Sequence, residues 1–73
     1  MKNYKAIVNT SKATDRKKAL YLMVLEQVIM EKLTDPYHAI VQFINGVIRV
    51  DSDNELLITR LRALWNRVEE LDD

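Results

Sequence analysis

The run Ala19–Leu33 (ALYLMVLEQVIMEKL) constrains this chain most, because it is the longest apolar stretch and contains no glycine or proline. It reads as a helix, from about 15 to 33. At about 100° per residue its apolar side chains do not gather on one side. Leu20, Val24 and Val28 fall on one flank, Leu22, Leu25, Ile29 and Leu33 on the opposite one, with Ala19, Met23 and Met30 between. Such a helix has to be covered from at least two directions, by the rest of the chain or by another molecule. Glu26, Gln27, Glu31 and Lys32 interrupt the run, which is too short to span a bilayer.

At 73 residues the chain is read as one domain (1–73), with 1–12 an arm or an edge strand. A core of this size supplies only about 3–5 kcal/mol of net stability. There is no cysteine, so neither disulfides nor thiolate metal sites supplement it, and a reducing compartment is permitted. One glycine and one proline in a chain that is 48% apolar argue for regular structure almost throughout. The opening MKNYK leads into no secretory-type apolar run and no lipidation motif is visible, so the expectation is a cytoplasmic protein.

The zero net charge is unevenly distributed: +5 over residues 1–18, −1 over 19–50 and −4 over 51–73. A basic end can serve nucleic acid, an acidic end can serve a basic partner, or the two ends can neutralise each other.

Ahead of the long helix, Tyr4, Ala6, Ile7 and Val8 form a short apolar patch, and Ser11, Thr14 and Asp15 are candidate N-caps. Thr34-Asp35-Pro36 stops one helix and starts another, since proline disfavours the α conformation before it and suits a first helical turn. Between 36 and 50, His38, Gln42, Asn45 and Arg49 are spaced four, three and four apart, a polar stripe on a helix. Asn45-Gly46 points the other way. It is the strongest short hairpin signal, flanked by β-branched IVQFI and VIRV, and it would set Phe43 beside Ile48, Val41 beside Val50 and Gln42 beside Arg49. The stripe and the Asp-Pro start weigh for the helix. Ser52 and Glu55 are spaced as a capping box before Leu57, Leu61, Leu64, Val68 and Leu71, a third helix over about 53–71 with Ile58 and Trp65 widening its stripe.

The expected architecture is therefore an all-α three-helix bundle (15–33, 36–50, 53–71). The alternative is α+β, in the order β-α-β-β-α, with the hairpin at Asn45-Gly46. The stretch Leu33–Val47 resembles the turn and second helix of a tetratricopeptide-type hairpin, with Ala39, Phe43 and Gly46 at that motif's packing positions. The resemblance implies a helical hairpin and carries no ligand-binding residue.

Catalysis lacks its parts: His38 is the only histidine, no cysteine exists, and the hydroxyl groups sit where capping explains them. No metal-ligand spacing is present. The expectations are no enzyme, no cofactor, no metal, no membrane and no small-molecule substrate. Glu26 is a carboxylate among apolar neighbours, read as a rim position. The functional reading is a protein–protein interaction module of adaptor, inhibitor or assembly-chaperone type, self-associating as a homodimer. Its interface residues are Leu22, Met23, Leu25, Ile29, Met30 and Trp65. The alternative is a nucleic-acid-associated regulator using Lys12, Arg16, Lys17 and Lys18, which a bundle would instead neutralise against Asp51, Asp53 and Glu55.

Overall fold

The computed structural model describes residues 2–31 and 37–72, and it is α+β. Strand β1 (Tyr4–Asn9) is followed by helix α1 (Asp15–Met30), strands β2 (Ala39–Ile44) and β3 (Val47–Ser52), and helix α2 (Glu55–Glu69). The expected three-helix bundle is wrong in its middle member: residues 39–52, placed in a helix over 36–50, form a hairpin, and the order is the alternative one. The Thr34-Asp35-Pro36 signal and the helix end at Leu33 lie outside the described residues.

The hairpin wins for local reasons. Asn45 and Gly46 have φ of 53° and 78°. Positive values at both central residues define the type I′ turn, whose twist matches that of paired strands. Ile40, Val41, Ile44, Val47, Ile48 and Val50 are all β-branched, which costs rotamer freedom in a helix and suits a pleated surface. The polar stripe was ambiguous by arithmetic. Pairing across this turn puts Gln42 opposite Arg49 and leaves Asn45 in the turn, so the residues that line one helix face also line one hairpin face. The tetratricopeptide-type resemblance goes with the helix: Ala39 and Phe43 lie on β2 and Gly46 in the turn.

The sheet order is β1-β3-β2, antiparallel throughout, with Ala6 and Val41 both opposite Val50, and Val8 and Phe43 both opposite Ile48. Central β3 thus presents Ile48 and Val50 to the helices, and both are fully buried. Thr10 locks the end of β1 onto the turn, its N–H and hydroxyl each donating to the Gly46 carbonyl at 2.7 Å.

Helix α2 lies on one face of this sheet and α1 packs against α2. Helix α2 packs on β1 and β3 and leaves β2 without a helix above it. Its stripe Leu57, Ile58, Leu61, Trp65 and Val68 is buried. The expected capping box does not form, because Ser52 ends β3 and spends its hydroxyl there, donating to the His38 carbonyl (2.7 Å) and accepting from Asn54 N–H. Asn54 caps instead, its side chain accepting from Leu57 N–H at 3.2 Å. Helix α1, capped by Thr14, runs antiparallel to α2. Lys17 near its start reaches the Glu69 carbonyl (3.0 Å), and Glu31 just past its end pairs with Arg60. The Trp65 indole N–H donates to the Tyr21 carbonyl at 3.0 Å, and the two rings meet edge to face at 6.4 Å. Such an aromatic pair adds roughly 0.5–1.5 kcal/mol beyond its burial.

Candidate interaction surface

Helix α1 contributes Tyr21, Leu25 and Val28 to the core and leaves Leu22, Met23, Ile29 and Met30 exposed. Its two apolar flanks therefore do not both face inward. The side carrying Lys17, Tyr21 and Glu31 is held by α2. Leu22 and Ile29 fall roughly half a turn round from Glu31, on the flank away from α2. Near the end of α1 the Ile29 carbonyl accepts from the hydroxyl of Tyr37, just ahead of β2, at 3.0 Å. Met23 and Met30 form the next row, with exposed Glu26 between the two rows.

Two of the expected interface residues are not at the surface. Leu25 and Trp65 are 8% and 4% exposed and belong to the core: Leu25 because α1 turns that side inward, Trp65 because it fills the junction between the helices and β1.

Sequence reasoning missed the second apolar surface. Strand β2 exposes Ile40, Val41, Phe43 and Ile44, on both of its faces. Val41 and Phe43 share the helix-facing side with Ile48 and Val50, yet are 43% and 58% exposed, since α2 does not extend over β2. The signal was present as AIVQFI, an uncharged strand with neither lysine nor proline, the residues that usually guard a sheet edge.

Lys12, Arg16, Lys17 and Lys18 do gather at the start of α1, but not against Asp51, Asp53 and Glu55. Antiparallel helices bring that end to the C-terminus of α2, where Lys17 meets a terminal carbonyl and the negative end of the helix dipole. His38 is exposed and is engaged through its backbone, its N–H donating to the Asp53 carboxylate at 3.0 Å.

The shifted ionisable groups belong to structural contacts. Hydrogen bonds from Arg60 hold Glu31 below the usual carboxylate range, and those from Arg49, with help from Asn3, do the same for Asp51. Desolvation first, and then Glu55 or Glu69, pushes the phenols of Tyr4 and Tyr21 up. Among the described residues no three His, Asp or Glu side chains are grouped to hold a metal, and no helix is long and apolar enough to cross a membrane. Compared with protein-family models, curated proteins and solved structures, the chain matches none.

Proposed function

We propose that this protein is an interaction module, an adaptor, inhibitor or assembly chaperone in type, that binds another protein rather than transforming a substrate. One observation carries the reading: Leu22, Met23, Ile29 and Met30 stay exposed on a helix whose other side is fully engaged. Single exposed apolar residues are ordinary, but neighbouring rows of them mark docking surfaces. The two methionines, 58% and 73% exposed, suit a surface that adapts to an apolar partner. Glu26 between the rows favours a partner whose apolar residues are accompanied by a cation.

The test is binding of an anilinonaphthalene sulfonate dye to the native chain. Met23→Gln with Met30→Gln should lower the fluorescence several-fold at unchanged far-ultraviolet circular dichroism. A native chain that runs as a monomer and leaves the dye dark removes the reading.

A further inference from the structure

We propose that the free edge of β2 pairs with the β2 edge of a second copy of this chain, antiparallel about a twofold axis through Gln42. The two three-stranded sheets then join into one. The proposal rests on the protein-binding reading above and names the partner.

The backbone supplies the first argument. Residues flanking a two-residue turn exchange both their hydrogen bonds, and bonded pairs alternate from there along an antiparallel ladder. Starting at Ile44–Val47, the peptide groups of Ile44, Gln42 and Ile40 point at β3. His38 continues the series, with its N–H on Asp53 and its carbonyl on Ser52. Ala39, Val41 and Phe43 therefore direct their N–H and C=O away from the sheet, at the terminal position of the order β1-β3-β2. Six residues without charge, proline or bulge make an edge that templates another strand.

The side chains choose the partner. A twofold axis normal to a sheet keeps each residue on its own face, so it must pass through a residue rather than between two. Centred on Gln42, it sets Val41 against the partner's Phe43, Ile40 against the partner's Ile44, and Gln42 against the partner's Gln42. Each large apolar side chain of the strand meets an apolar one, the amides meet each other, and only Ala39 falls opposite a polar turn residue, the partner's Asn45. Centred on Val41, Ile40 would face Gln42 and Ala39 would face Phe43, a poorer match. An uncharged strand has no electrostatic means of selecting a foreign partner, whereas this one complements itself.

Side chains on the helix-facing side add to the contact. A stable interface buries roughly 800 Å² per partner, more than one short strand provides. In the joined sheet, exposed Val41 and Phe43 of the two copies come together on that side and extend the apolar contact beyond the strand backbones.

The chain lacks cysteine, so Gln42→Cys introduces a single thiol. Gln42 and the partner's Gln42 would form a non-hydrogen-bonded pair with Cα atoms about 4.5 Å apart, within disulfide reach. Light scattering after size exclusion at about 100 μM should show a dimer, and mild oxidation should convert Gln42→Cys to a covalent dimer at least tenfold faster than Glu70→Cys, an exposed control on α2's far end. Val41→Lys should give a monomer with unchanged circular dichroism. A wild-type monomer that still binds the dye overturns the proposal and leaves the module reading in place. A dimer that ignores Val41→Lys and fails to link at residue 42 overturns it too. A monomer that leaves the dye dark ends both.

Discussion

The two edges of the same three-stranded sheet are finished in opposite ways. At β1 the Arg62 guanidinium, carried by α2, donates to the outward carbonyl of Lys5, with Nε at 3.0 Å. Trp65 stands behind that strand, Ala6 is buried and Val8 partly so, and burial alternates cleanly along it. At β2 no helix leans over, the strand carries no charge, and every residue after Ala39 is exposed. An edge is therefore a property of what packs beside it as much as of its own residues. Both strands are six residues long, but β1 carries Lys5 and lies beneath α2, whereas β2 has neither a charge nor a helix over it.

The most damaging way to test the closed edge is Trp65→Ala. It removes the side chain that fills the space between β1 and the helices, along with the hydrogen bond to Tyr21. A loss of about 3–5 kcal/mol is expected, comparable to the whole stability of a domain this small. A thermal melt should find the variant largely unfolded at 25 °C. A melt shifted by only a few degrees would show that the β1 side does not hold the fold.

Gly46→Ala acts on the hinge of the open edge. Its backbone sits at φ +78°, and an added Cβ would lie 3.3 Å from the Cα and Cβ of Ser11. Strain of about 1–2 kcal/mol follows from the left-handed conformation alone. Urea denaturation should read that loss, and a neutral result would contradict the type I′ turn that frees the β2 edge.

Arg62→Ala sharpens the comparison from the other side. Stripping the guanidinium from the Lys5 carbonyl should cost about 1 kcal/mol or less, since Arg62 is exposed. Weak concentration-dependent association should appear as β1 becomes a second open edge. If light scattering shows none, Arg62 is not what guards that edge.

A smaller effect comes from acid. Glu31 and Asp51 both have folded-state values held below the ordinary ones, by Arg60 and Arg49 respectively. The unfolded chain then binds the extra protons, so their contribution is present above the unfolded values, about pH 4, and is lost as pH falls through the folded ones. Glu31→Gln should lower the neutral plateau slightly and converge with the wild type in acid, so the acid limb of a stability-against-pH curve flattens; the change is small because the pair is partly solvent-exposed. Asp51 sits on central β3, so Asp51→Asn should act on neither edge selectively.

The parts of this fold written locally were readable. A first cap among Ser11, Thr14 and Asp15, the α2 stripe from Leu57 to Val68 and, within the alternative reading, the cross-strand partners of the hairpin all depend on spacings of a few residues. The choice between helix and hairpin at 39–50 did not, because the residues of the polar stripe share a face in either structure. Ser52 misled for a similar reason: a serine three residues ahead of Glu55 suits a capping box, but the strand ending at Ser52 needed its hydroxyl first. At the surface, α1's apolar excess was plain from the sequence. Which rows it would expose was not, since that depends on where α2 lies against it.

By itself the sequence determined an α1 helix with more apolar surface than one contact can cover and an amphipathic α2, and it carried at Asn45-Gly46 a turn signal that the helical reading of 36–50 outweighed. Those follow from periodicity, capping and the φ preferences of single residues, which act over one or two turns of chain. Only the tertiary structure decided that β1 would pair with β3 and take its place under α2, that Leu25 and Trp65 would be buried, and that β2 would be left open. Those outcomes come from contacts between residues some forty positions or more apart, such as Ala6 with Val50 and Tyr21 with Trp65. Their energies arise from excluding water between surfaces that only the assembled fold brings together.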